Sequence, residues 1–409
     1  MRRAHAVCGL SLHVGESPFL FGGEGADTAR LEEYVNVGRE RLRCGYTTGT
    51  CAAAAAAGAA ALLLRGEVLP AVELQTPAGI PVHPELLNHT AGPGWASCAV
   101  EKDGGDDPDV THGALVLVRV ERLAVPGRIE IDGGEGVGRV TRPGLDQPVG
   151  EAAINSTPRR MIGEQLREAL AASDWTGGLR AVVSVPGGEA LAAKTFNPRL
   201  GIVGGISILG TSGIVRPMSE AALVDSVKLE LNALRASGAE DVLITPGNYG
   251  EAFCQNVLGL RLDRWCLCSN YLGEAIDHAA GLGFRTVLLV GHLGKLCKAA
   301  AGNMNTHSKV SDARREVLTA HAALCGGERP LLQELFASPT TDAAVELLTA
   351  AGLREPVMDA LGRALEEQLQ RRAGPELRVE ALFFSNQYGI LGSTPGAEDL
   401  LALHRAEEE

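Results

Sequence analysis

The chain has 409 residues, 45% of them hydrophobic and 21% charged. That length exceeds one ordinary core and predicts two domains, and the balance excludes a disordered or fibrous chain. A formal net charge of −13 argues against general adhesion to nucleic acid or an anionic membrane, so an anionic ligand would have to be met by local clusters of Arg and Lys. No apolar run looks long enough to span a bilayer, which takes roughly 18 residues. The start, MRRAHAVCGLSLHVGESPF, does not read as a secretory signal, because His13 and Glu16 interrupt its weak apolar patch. Nine cysteines without a CxxC pair predict free thiols in a reducing, cytoplasmic compartment, and Cys266-x-Cys268 has the wrong spacing for zinc.

Residues 1–40 read as an extension, with a turn at GGEGAD (22–27) and one short helix in LEEYVNVGRERLR (31–43). The stretch LRCGYTTGTCAAAAAAGAAALLLRG (42–66) predicts a helix over Ala52–Leu64. Thr47, Thr48 and Thr50 precede it as capping residues. Hydroxyls and free N–H groups at a helix start suit an anion, and a purely structural cap is the equal alternative. No G-K-[ST] follows, so this is not a Walker loop.

From Ala71 to Val140 short alternating runs (VELQT, IPVH, SCAVEK, ALVLVRV, RIEIDG, VGRVT) predict a mixed sheet of an α+β domain. Asp103, Asp106, Asp107 and Asp109 cluster without calcium-loop spacing and read as a loop of Asx turns rather than a metal site. IDGGEGVGRVTRPGL (131–145) reads as a Gly-rich hairpin carrying Glu135, Arg139 and Arg142. A helix then starts with Ser156 or Thr157 as cap, Pro158 at its first position and Arg159 and Arg160 in its first turn. Basic residues oppose the dipole there, which makes Arg139, Arg142, Arg159 and Arg160 a candidate anion cluster, beside the alternative of a solvated basic face.

After a linker at 173–178, apolar runs at 181–185, 205–209, 241–245, 264–268 and 286–290 alternate with helical stretches such as Ser219–Ala236 and Asn270–Ala280. This predicts a Rossmann-like, doubly wound parallel sheet in a domain over 178–400, following an α+β domain over 41–177. Five loops would share the rim at the carboxyl ends of these strands, where such sheets bind ligands: Pro186–Gly188, Gly210–Gly213, Pro246–Gly250, Ser269–Tyr271 and Gly291–Lys295. The richest is the last, which leads into an Asn-, His- and Ser-rich segment ending at Asp312. Residues 311–372 read as helices, and VEALFFSNQYGILG (379–392) as a late strand with a polar loop.

These blocks together resemble one family. CGYTTGTCAAAAA, IDGGEGVGRVTRPGLDQPVG, AAINSTPRRMI, TFNPRLGIVGGISILGTSGIVRPMSEAAL, TPGNYGE and LVGHLGKLCKAAAGNMNTHSKVSDAR are similar, in order from about residue 42 to 325, to the signature blocks of the CbiD family, the cobalt-precorrin-5B C1-methyltransferases of anaerobic cobalamin biosynthesis. The departure is Gly58 within the alanine run, expected to matter little. The resemblance implies methyl transfer from S-adenosylmethionine to C1 of an anionic corrinoid, cobalt-precorrin-5B, giving cobalt-precorrin-6A. It also implies two domains, one α+β and one Rossmann-like. It carries no assigned catalytic residue and calls for no metal.

On that reading the donor groove is expected at Gly210, Thr211, Ser212, Gly247, Asn248, Tyr249, Gly291 and Gly294. The carboxylate arms of the substrate are expected at Arg139, Arg142, Arg159 and Arg160, with Thr47, Thr48, Thr50, Asn303 and Asn305 as neutral donors. His292, Lys295 and His307 are the candidates for moving a proton. A corrinoid-binding carrier without its own chemistry is the alternative. A phosphate-handling enzyme using the TTGT helix start is disfavoured by the missing lysine. The sequence leaves a homo-oligomer open.

Overall fold

The computed structural model describes residues 30–405. The turn expected at 22–27 and the end of the acidic tail lie outside them. Two sheets organise the molecule, each with its own core.

The first sheet has five strands in the order Leu87–Gly92, Trp95–Glu101, Leu115–Leu123, Gly178–Ser184 and Ile129–Gly133. All neighbours are antiparallel except the last pair. The helices Thr48–Arg65 and Ser156–Ala171 lie against each other, and the first also packs on the sheet. Every residue from Thr48 to Ala61 is buried, because alanine lets backbone approach backbone. The packing is tight at Gly58, where a Cβ would lie 2.6 Å from Leu86 Cδ1 and 3.0 Å from Cys98 Sγ. Gly58 therefore sits more tightly than the sequence expectation allows for: a side chain there would have to displace the Leu86 methyl and press on Cys98. At 18 residues and mean hydropathy 1.3, Thr48–Arg65 would be long and apolar enough to cross a membrane, contrary to the sequence expectation, but 72% of it is buried inside the protein.

The second sheet runs Trp265–Leu267, Asp241–Thr245, Thr286–His292, Arg378–Ser385 and Gly389–Ser393. The first four strands are parallel and the last is antiparallel. The central strand is buried from Val287 to Gly291, as expected of a strand covered on both faces. Phe253 of the helix Asn248–Asn256 stacks on Phe384 at 3.7 Å on one side. Helices including Leu272–Gly281, Leu293–Ala300 and Arg354–Ala373 cover the other.

Several sequence expectations are corrected. The run at 181–185 belongs to the first sheet, pairing with Leu115–Leu123 and Ile129–Gly133, so a boundary at 177/178 would cut through that sheet. Its burial alternates along the strand, the mark of a half-covered sheet. The run at 205–209 is no sheet strand and makes only isolated bridges, Val137 to Ile206 and Ile154 to Ile208. The stretch at 131–145 does not fold back on itself as a hairpin; Arg139–Val140 pairs with Ile202–Val203. Residues 34–43 form a hairpin turned at Gly38, which has φ +64, rather than a helix.

Candidate active site

The carboxyl rim of the parallel sheet carries the loops after Thr245, Leu267, His292 and Ser385. Three of the five expected loops are thus together, and Ser385–Tyr388 adds a fourth. Pro186–Gly188 and Gly210–Gly213 are not on this rim. They belong to the body of the first sheet, where Gly210, at φ +134, packs against the Thr47 side chain. Gly210, Thr211 and Ser212 are therefore removed from the expected donor groove.

Gly247 opens the rim helix at φ +94 and ψ +167, a backbone conformation confined to glycine. A Cβ there would sit 3.2 Å from Lys295 Nζ. Lys295 donates to Asn270 Oδ1 at 2.8 Å and to Ser269 O at 3.2 Å, and burial pushes its pKa down. Asn248 and Tyr249 begin the rim helix on its solvent side, and Tyr249 is 66% exposed. Gly291 is buried against Pro246, serving packing rather than an open groove.

His292 caps the helix Leu293–Ala300: its Nδ1 accepts from Gly294 N at 3.1 Å. That bond places the ring proton on Nε2. Burial pushes its pKa down, against the pull of Asp342, so it is a neutral donor at pH 7. His307 Nδ1 accepts from Lys309 N, and Asn305 Oδ1 accepts from His307 N. Asn303 stands in the same loop, its N–H bonded to Lys298 O. Buried Lys298 holds this loop through Thr306 O and Ser311 O at 3.0 and 2.9 Å. An acidic residue near the rim comes from a neighbouring helix: Glu230, buried, accepts from Leu267 N at 3.2 Å. Burial raises its pKa.

The expected anion sites are largely closed. Thr47 accepts from Thr50 N, Thr48 exchanges hydrogen bonds with Leu209, and Thr50 donates to Gly213 O at 2.7 Å. The Gly49 N–H is taken by Leu209 O. The TTGT start is tied up as a structural cap, while Thr47 and Thr48 also line the cavity between the first body and the helix that follows Ser219. The arginines do not form one open cluster. Arg159 donates to the carbonyls of Ile131, Ala152 and Ile154. Arg139 pairs with Asp132 at 2.9 Å, Arg160 with Glu164 at 3.1 Å, and Arg142 reaches Arg199 O.

A cavity of about 260 Å³ lies between the first body and the helix Glu220–Ala236. Val140, Leu200, Ile206 and Leu229 make its walls mainly apolar, and Lys102, Asp109 and Asn155 bring polar groups to it. The helix Asn197–Leu200 joins this cavity to the rim. Its Asn197 and Leu200 line the cavity, while Arg199 lies 3.3 Å from Glu251 of the rim helix and 4.6 Å over the Trp265 ring. Among the described residues no cluster suited to a metal ion occurs.

The CbiD family model matches residues 35–217, and the model of the CbiD C-terminal domain matches 305–395. A cobalt-precorrin-5B C(1)-methyltransferase of Ruminiclostridium cellulolyticum is 44% identical over 91% of this chain and 97% of its own. The chain belongs to the CbiD family. A relative of the same description in Photorhabdus laumondii is 42% identical over 93% of this chain and 100% of its own. A 1.9 Å crystal structure of the cobalamin biosynthesis protein cbiD from Archaeoglobus fulgidus is 32% identical, covering 69% of this chain and 87% of that one, with a TM-score of 0.37.

Within this CbiD chain, two expected neutral donors, Thr47 and Thr48, do line the cavity, but sequence reasoning missed Lys102, Asp109 and Asn155 there. Lys102 ends a run read only as an alternating strand. Asp109 was read as part of an Asx-turn loop, which it is: it accepts from Thr111 N at 2.9 Å. Asn155 is the N-cap residue of Ser156–Ala171, yet its side chain makes no cap bond. Asp146 caps that helix instead, through Ser156 N and Ser156 Oγ.

Proposed function

We propose that this chain is a methyltransferase acting on C1 of cobalt-precorrin-5B to give cobalt-precorrin-6A in cobalamin biosynthesis, with S-adenosylmethionine as the methyl donor. The observation that carries it is identity above 40% along nearly the whole length of relatives bearing that activity in their names. The division we propose is a first domain over about 30–218, α+β in character, and a Rossmann-like second domain over about 219–405. Eight free cysteines among the described residues support a reducing, cytoplasmic setting.

In this reading the donor lies on the rim of the parallel sheet. Gly247 lets ligand approach the backbone, Asn248 and Asn270 supply polar contacts, and Lys295 holds the adjoining loop. Gly294 and Tyr249 flank that position. The corrinoid lies against the cavity side, reached through the Asn197–Leu200 helix. The donor supplies a methyl already activated on a sulfonium, so the protein's task is to align, desolvate and exclude water. The S–CH₃ bond breaks as the C1–CH₃ bond forms. Neutral His292, donating from Nε2, is suited to orient rather than to accept a proton, and His307, whose Nδ1 is likewise bonded to backbone, is suited to the same role. Glu230, buried beside the strand Trp265–Leu267 with its pKa raised by burial, is the candidate acceptor.

Incubation with isotopically labelled donor and cobalt-precorrin-5B tests this by mass. The expected product gains one labelled methyl. A corrinoid that binds without gaining mass would leave the carrier reading instead.

A further inference from the structure

The cavity contains a charge that the fold does not need. Lys102 is 2% exposed, and among the described residues its ammonium has one hydrogen bond, to Asp109 Oδ2 at 2.6 Å. An ammonium has three donors, so two lack a protein partner. Asp109, by contrast, is fully engaged: it also takes the Thr111 N–H at 2.9 Å and the Thr111 hydroxyl at 2.8 Å. Burial alone would raise its pKa; the Lys102 charge and these bonds outweigh burial and hold it below the usual carboxylate range, so it stays an anion.

A buried ion pair with donors left over is a poor stability device, because desolvation cancels much of the attraction. The pair's position says what else it could do. Lys102 also borders a polar groove on the outer side of the body, but Asp109 and Thr111 line only the cavity of the two, so the ammonium bonded to Asp109 lies on the cavity side. Asn155 lines the same cavity, and its amide has been relieved of capping by Asp146. The remaining wall is mainly apolar, with the hydroxyls of Thr47, Thr48 and Ser207 and the helix-capping Asp146 at its edges. A space of about 260 Å³ suits a short side arm and is far too small for a macrocycle.

We propose that Lys102, with Asn155, forms a carboxylate-arm subsite of the cleft: the ammonium and the amide donate to one acidic arm of the corrinoid while the ring lies across the cavity mouth. Asp109 fixes the ammonium and leaves its other donors directed to the ligand. Lys102 is in this account a specificity residue, not a catalytic one. The proposal rests on the cobalt-precorrin-5B reading and replaces the arginine cluster as the first reader of an arm.

The test is binding of two corrinoid probes, followed by absorbance: cobyrinic acid, whose arms are free carboxylates, and cobinamide, whose arms are amides. Wild type is expected to prefer the acid. In Lys102→Met the acid should lose roughly ten- to a hundredfold in affinity, the range of one charge-assisted hydrogen bond, while the amide changes little. With cobalt-precorrin-5B, KM should rise and kcat stay within a few-fold. Asn155→Ala should move the same preference less. Because removing one partner of a buried pair can unfold a protein, Lys102→Gln with Asp109→Asn, a neutral pair of similar shape, serves as the second variant, and thermal unfolding checks both.

A preference for the acid that persists in the folded variants, or equal losses for both probes, overturns the subsite. If wild type methylates cobalt-precorrin-5B while the variants keep the preference, only this proposal fails. If wild type neither methylates nor binds either probe, the functional reading fails with it.

Discussion

The two bodies of this protein arrange polar chemistry in opposite ways. On the rim of the second sheet, polar side chains are tied to one another and to backbone: Lys295 to Asn270, His292 to Gly294, Lys298 to Thr306 and Ser311. In the first body, apolar packing is so close that a Cβ at Gly58 would press on Leu86 and Cys98, yet the cleft it borders leaves Lys102 and Asn155 under-bonded. A pre-tied rim suits a ligand held by backbone and shape. An under-bonded charge in an apolar cleft suits one that brings its own opposite charge.

The contrast can be broken by mutation and pH. The largest effect expected is in the second body. His404 is 0% exposed, and neither ring nitrogen has a partner among the described residues. Burial, then the Arg264 charge, pushes its pKa down from 6.5 to about 4, against Asp241 and Asp263. The unfolded chain therefore takes up this proton first. The neutral ring's contribution is intact above about pH 6.5 and is lost as pH falls from there toward 4, by up to about 3 kcal/mol. Denaturant unfolding across that range should show the loss in wild type and a flatter profile in His404→Phe; equal slopes would discard the assignment.

Next, Gly58→Leu should destabilise by about 1–3 kcal/mol through overpacking against Leu86 and Cys98. Chemical denaturation measures it, and an unchanged midpoint would mean the helix can move off the sheet freely. Arg159→Ala comes third. It frees the carbonyls of Ile131, Ala152 and Ile154, so it should cost about 1–2 kcal/mol of stability while leaving the salt dependence of corrinoid binding as in wild type. A salt-dependent loss of corrinoid affinity would return this arginine to the binding surface. Arg160→Ala should do least. It removes one exposed pair with Glu164, worth under about 0.5 kcal/mol, with corrinoid affinity unaltered.

What was legible in the sequence follows from the same physics. The strand through Val287–Val290 stood out because a strand covered on both faces is a continuous β-branched and leucine run. The alanine helix and its Thr47 cap were equally plain, being local. The strand at 181–185 was misplaced because a short apolar run does not say which sheet it joins; only its pairing with Leu115–Leu123 does. That error carried Pro186–Gly188 to the wrong body, and reading the run at 205–209, which makes only isolated bridges, as a sheet strand did the same to Gly210–Gly213. Of the candidate site, the rim loops at Gly247, Asn270 and Lys295 were readable as small and polar residues after strands. Lys102 was not, since a lysine at a strand end ordinarily faces water and nothing local shows that it is buried. The arginines misled for the converse reason: the carbonyls that hold Arg159 and Arg142 are invisible in sequence, and Arg160 has its partner Glu164 four residues on in the same helix.

The account turns on the donor and the corrinoid being held by different bodies. Calorimetric titration of Gly247→Val with S-adenosylmethionine, paired with a corrinoid titration of the same variant, tests this most directly. The account predicts donor affinity reduced at least roughly tenfold, a difference of about 1.4 kcal/mol, with corrinoid affinity retained. Donor affinity equal to that of wild type would contradict it.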